Sequence, residues 1–250
     1  MTSPGKSLAV LIGCALTAAA APPPSTLTPP GSPTAMSGNS MTPMGAMTSA
    51  GPSRIVVSEV VEPAFRDAVA RVMGKPTLSA RGTCDEVLCT PSVYDWLVDH
   101  PDRVALAWRR LKVPCVEITD LGNGRFAWAE DGSELVWQTV GRFPDGVVWY
   151  ATGKVKPAPV GPTVPVRAVV VMSYPKQPAA GGLANVRPVA QAYLHTDSRA
   201  ANMVMRMLGP TAPKLAQEGA EQLLFFFNGV ARYAQAHPDQ ADALLGPAKK

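Results

Sequence analysis

The sequence predicts an α+β domain in which an antiparallel meander sheet of about six strands, preceded by short helices, packs on a long C-terminal helix. Three observations carry this. Apolar residues recur at helical spacing between Ala64 and Leu111, the pattern changes to strict alternation after Pro114, and helical spacing returns from Thr211 to about Ala236. The turns between the alternating stretches are too short to hold crossover helices, so adjacent strands run antiparallel.

Composition sets the outer limits. The chain has 250 residues, 46% hydrophobic and 17% charged, with 26 Pro and 21 Gly. That is apolar enough for a core and too rich in proline for one uniform globule, which implies one domain and a tail. The formal charge is +4, from 23 Lys and Arg against 19 Asp and Glu, without a dense basic block to neutralise a phosphate backbone. No nucleic acid is expected as a partner. The longest apolar run, Leu8 to Ala21, falls short of the roughly 18 to 20 residues that a spanning helix needs.

Residues 1–21 have the three-part layout of a secretory signal: a short polar start, one positive charge at Lys6, and an apolar stretch rich in small residues. Export to the cell envelope, periplasm or extracellular space is therefore expected. Within the stretch, Leu11, Ile12, Gly13 and Cys14 resemble the lipobox of bacterial lipoproteins, which implies lipidation of Cys14 and a membrane anchor. Ala19 to Ala21 equally satisfy the small-residue pattern of ordinary cleavage, so both routes stay open. Residues 22–54 consist almost wholly of Pro, Ser, Thr, Gly, Ala and Met, a composition that cannot bury enough apolar surface to offset ordering entropy. They read as a linker, and residues 55–246 as the single α+β domain.

Within the domain, the β-branched run Ile55 to Val61 suggests a strand, and Pro63 opens a helix whose Phe65, Val69 and Val72 share a face. Thr90-Pro91 is an N-cap and first-turn pair, and His100-Pro101 breaks the following helix in two. The tripeptide His-Pro-Asp recurs at 237 to 239, good chemistry for starting a helix in both places. Strands are expected over Cys115–Asp120, Arg125–Glu130, Glu134–Gly141 and Val147–Lys156, separated by turns at Gly122-Asn123-Gly124, Asp131-Gly132 and Pro144-Asp145-Gly146. A central fifth strand follows over Val164–Tyr174, and a sixth over Val186–His195. Asp197-Ser198 caps a helix through Leu208, and Gly209-Pro210 ends it. The last helix carries Ala216, Ala220, Leu223, Phe227, Val230 and Ala234 on one face, which must lie on something apolar.

This order of elements resembles the helix-grip fold of START-like (SRPBCC) proteins. The resemblance is topological, covers about Ile55 to Ala236, and brings no residue motif. It implies a sheet wrapped on the last helix around a pocket for a lipid or another apolar molecule.

Candidate site residues follow from chemistry. Alternation puts Trp128, Trp137 and Trp149 on one sheet face, and with Tyr193, Leu223 and Phe227 they are candidates either to fill a core or to line an apolar pocket. Cys84 and Cys89 form the natural disulfide pair in an oxidising compartment, with Cys115 as the alternative partner of either. No metal or cofactor is expected: a zinc site would need a fourth ligand from His100, His195 or His237 at no recognised spacing. The acids Glu117, Asp120, Glu130 and Asp131 cluster at one hairpin, where turn formation alone would place them. Nucleophile-elbow, Walker, dinucleotide and His-Glu-x-x-His motifs do not occur. No catalytic residue is named. The expectation is a non-enzymatic binding module, with a pocketless structural or interaction module, or an exported enzyme of unidentified class, as alternatives.

Overall fold

The structure is a computed structural model and describes residues 56–156, 163–196 and 209–246. The signal segment, Cys14, the linker and the helix expected over Asp197–Leu208 lie outside the described residues.

Seven strands form one antiparallel sheet in the order β1-β10-β7-β6-β5-β4-β3. They are β1 (Leu78–Thr83), β3 (Ile118–Gly122), β4 (Arg125–Glu130), β5 (Ser133–Phe143), β6 (Gly146–Val155), β7 (Val164–Ser173) and β10 (Val189–His195). A second, three-stranded sheet runs β2 (Val87–Cys89), β9 (Ala184–Val186), β8 (Lys176–Pro178). The helices are a single turn α1 (Val57–Val60), α2 (Arg66–Gly74), α3 (Pro91–Asp99), α4 (Pro101–Arg110), the long α5 (Ala212–Ala236) and α6 (Pro238–Leu245). The fold class is α+β, with the meander sheet and long C-terminal helix that the residue pattern predicts. In strand order the first strand lies beside the last, and the long helix is laid on one face of the sheet.

The turn residues place the meander. Asn123, Asp131 and Asp145 all take positive φ, between 50° and 57°, the left-handed region that Asn and Asp tolerate better than other side chains. Each sits where two strands reverse, so β3 to β6 follow one another as neighbours. Both faces of the sheet are covered. The outer face packs on α1 and α2 through Val61, Val69, Val72, Val140, Val148 and Val169. The inner face meets α3, α4 and α5, and here Tyr94, Leu97, Leu224, Phe226 and Phe227 are sealed from water.

Four expectations are corrected. The strand expected over Ile55–Val61 is absent from its described residues, 56–61: Val57–Val60 is one helical turn, and Val61 pairs by a single bridge to Gly141. The chain presses onto the sheet there, since a Cβ on Gly141 would stand 2.6 Å from the Val60 carbonyl oxygen. The Val186–His195 strand divides at Arg187-Pro188, with β9 and β10 in different sheets. Proline cannot donate to a ladder, which makes it the natural point of transfer. The strand expected from Cys115 starts at Ile118. Finally, β1, β2 and β8 carry no alternating hydrophobic signal and were not expected.

At both His-Pro-Asp corners the histidine takes the N-cap position with φ near −130°, and neither makes a side-chain cap bond. Each ring instead lies on the aromatic residue one helical turn earlier, His100 on Trp96 at 4.4 Å and His237 on Tyr233 at 4.5 Å. The repeated tripeptide is thus a helix corner. Arg110 ties the C-terminal ends of the two helices that follow these corners together by donating to the carbonyls of Ala243, Leu244 and Gly246 at 2.6 to 2.9 Å, at the end of α6.

Candidate functional site

Strand register lays out the inner face as rows. One row reads Phe126, Trp137, Ala151, Ala168, Leu194, Leu78 from β4 to β1. The next, towards one end of the strands, reads Ile118, Trp128, Leu135, Gly153, Val166. On the other side lies Thr139, Trp149, Val170, Ala192, Ala80. Trp128, Trp137 and Trp149 therefore share a face. Tyr193 does not: it alternates with Ala192 and Leu194, and it packs in the outer-face cluster with Val69 and Val72 while its hydroxyl donates to Gln191. Tyr193 is removed from the inner set by one residue of parity.

Packing on this face is uneven. At one end Trp149 and Phe227 stack at 6.0 Å, Phe226 stands edge-on to Phe227 at 5.0 Å, and Trp108 donates its indole N–H to the Phe226 carbonyl at 3.0 Å. That end is a filled core. Ala151, Val155, Val164, Val166, Ala168 and Leu194 form a second apolar cluster made of strand residues alone, and no residue of a described helix joins it. Between the two clusters, Leu135, Trp137, Val170 and Leu223 are only half-buried. Val170 is the telling one. It lies in the middle of β7, flanked by β10 and β6, and faces the helix side, where a closed sandwich would shut out water.

Trp128 adds a chemical feature. It is 6% exposed, and its indole Nε1 is buried without a hydrogen-bond partner. An orphaned buried donor costs about 1–3 kcal/mol, and native proteins rarely carry one without a use.

A separate groove of about 430 Å³ lies on the far side of α5, between its first half and the connection after β1. Thr83, Cys84, Asp85, Glu218, Gln222 and the exposed ring of Phe225 line it, and Phe225 rests on Trp108 at 5.6 Å. None of the tryptophans expected at a pocket borders it.

Among the described residues Cys84, Cys89 and Cys115 are free thiols in the structure. Cys89 is buried in β2, and burial, with the Asp95 charge added and Lys176 opposing, pushes its thiol up to about 11. Cys115 is likewise pushed to about 11 by burial, and Cys84 is raised by burial against the pull of Arg232. None is poised as a thiolate near neutrality. Above the ordinary thiol value near 9 the unfolded chain releases the Cys89 proton while the folded chain retains it up to about 11. The stabilisation is thus complete below pH 9 and disappears as pH rises through 11, by about 3 kcal/mol. Urea unfolding across this range will show stability falling, and Cys89→Ala will remove that share of the slope. A slope unchanged in the variant would contradict the burial.

The acids do not assemble a cleft with His195. Asp120 accepts from the Gly122 amide at 2.8 Å as a turn residue, Glu117 faces Arg109 at 3.5 Å, and four strands separate β3 from β10, which carries His195. Among the described residues no three His, Cys, Asp or Glu side chains gather as metal ligands. No described helix is long and apolar enough to cross a membrane. The signal that sequence reasoning missed is the buried pair Tyr94 and Asn228: the tyrosine hydroxyl donates to Asn228 Oδ1 at 2.8 Å, and Asn228 Nδ2 donates to the Asp85 carbonyl at 2.8 Å. A lone Asn inside an apolar helix stripe was its only trace.

No family model and no curated protein matches the chain. Solved structures do. A conserved protein from Geobacillus kaustophilus is 13% identical, over 63% of this chain and 97% of its own, with a TM-score of 0.41. A hypothetical protein from Helicobacter pylori is 14% identical, over 77% of this chain and 100% of its own, at 0.40. Ara h 8.0201 is 12% identical, over 56% of this chain and 95% of its own, at 0.29.

Proposed function

We propose that the domain is a non-enzymatic binding module that takes up an apolar ligand or lipid between the inner sheet face and α5. The observation that carries this is the half-buried apolar set around Val170, Leu135 and Trp137 beside an apolar cluster in which no residue of a described helix takes part. Such a mostly apolar, concealed surface with few polar groups has the makings of a small-molecule site. The same proposal keeps residues 1–21 as an export signal and Cys14 as the point of membrane attachment, with the domain held outside the cytoplasm.

The test is uptake of a simple apolar probe. 2-Ethylnaphthalene should bind with an affinity in the micromolar range and quench tryptophan emission. Val170→Phe, which fills the centre of the face, should weaken it about tenfold or more while the thermal transition stays cooperative. Binding unaffected by Val170→Phe would place the probe elsewhere, the groove beside Phe225 being the first alternative. One observation favours a pocketless structural module instead: the stacked Trp149 and Phe227, which close their end of the interior. In that case the probe will not bind at all.

A further inference from the structure

We infer that the ligand of this interior carries a hydrogen-bond acceptor, such as a carbonyl, ester or ether oxygen, and that Trp128 Nε1 is the donor that receives it. The inference rests on the interior binding proposed above and deepens it. Four facts converge. Trp128 lies on the inner face, directly opposite Leu135 and diagonal to Trp137, the two half-buried residues of that wall. More than nine-tenths of Trp128 is buried, and its N–H has no partner. The indole donor of Trp108, by contrast, is already satisfied by the Phe226 carbonyl. The residues directly opposite Trp128 on the two neighbouring strands, Ile118 and Leu135, and Phe126 two residues earlier offer no side-chain acceptor.

A donor-only group in an apolar wall selects by chemistry. A hydrocarbon leaves the N–H orphaned, whereas a molecule of the same shape with one acceptor relieves it, and the difference is a binding preference. A hydroxyl would also serve through its oxygen, but a ligand group that only donates would not.

The experiment compares 2-acetylnaphthalene with 2-ethylnaphthalene, alike in size and differing by a carbonyl oxygen, on the full chain. The account expects the ketone to bind about three- to tenfold more tightly, the advantage of one net hydrogen bond. In nitrogen-15 spectra the indole cross-peak that is missing from Trp128→Phe should move downfield with the ketone and far less with the hydrocarbon. In Trp128→Phe the preference should vanish while the hydrocarbon still binds. Should that variant fail to fold, the cross-peak response of the unaltered protein decides the matter, assigned by selective labelling. Equal affinities, or a Trp128 resonance indifferent to the ketone, would overturn the inference and leave interior binding standing. Failure of both probes to bind would overturn the inference and the interior site together. A preference that survives in Trp128→Phe would assign the acceptor to another donor and equally overturn it.

Discussion

Gly82→Val will destabilise the domain by about 3 kcal/mol, the upper range for forcing volume into a packed contact. Gly82 is where β1 meets α5 at closest approach. A Cβ there would lie 2.5 Å from the Ala220 carbonyl carbon and 2.6 Å from the Glu221 amide nitrogen. These are backbone atoms of the helix, so no rotamer change relieves the clash and α5 must lift from the sheet. Gly74→Ala provides the contrast, because nothing stands within 4 Å of a Cβ at that position. It should be neutral within about 0.5 kcal/mol, or slightly stabilising through the unfolded chain. Urea denaturation of both variants checks the pair, and a mild Gly82→Val would mean that α5 does not ride on β1 as described.

Asn228→Ala will cost about 2 to 4 kcal/mol, because it strands a buried hydroxyl as well as opening a cavity. Asn228 is 1% exposed and Tyr94 is sealed, so the tyrosine O–H that donates to Asn228 would find neither protein nor water in its place. The Asp85 carbonyl loses its donor at the same time. Tyr94→Phe should cost less, about 1 to 2 kcal/mol, and the double variant should fall well short of the sum, since the second change removes the group that the first left unpaired. Additive costs in denaturant titrations would show that the two side chains do not act as one unit. The network joins α3, α5 and the connection after β1, so its loss should also raise hydrogen exchange in α3.

How much of this was legible depends on whether a residue advertises its environment. The meander from β3 to β6 was readable because Asn123, Asp131 and Asp145 mark reversals by backbone chemistry and the strands between them alternate cleanly. The last helix was readable for the same kind of reason, its face from Ala216 to Ala234 repeating every three or four residues. β1 was not, and Gly82 explains why: the strand is built small so that a helix can lie on it, which erases the hydrophobic alternation that would have revealed it. Ile55–Val61 misled in the opposite sense. Its β-branched residues suit a half-buried surface, and Val61 finds one on the outer face of the sheet, joined to it by one bridge instead of a strand ladder. At the candidate site, parity alone assembled the three tryptophans correctly, whereas Tyr193 lies on the outer face because it alternates with Ala192 and Leu194, which point inward. The orphaned Trp128 donor could not be seen in sequence, since it depends on what the two neighbouring strands fail to offer.

The most direct test of the central claim is native mass spectrometry of the protein purified from its own cells. The account predicts a folded species carrying the added mass of a bound apolar molecule, released by organic solvent and absent from Val170→Phe prepared in the same way. A clean apo mass for the unaltered domain, repeated across growth conditions, would contradict it and leave a filled core with no cargo.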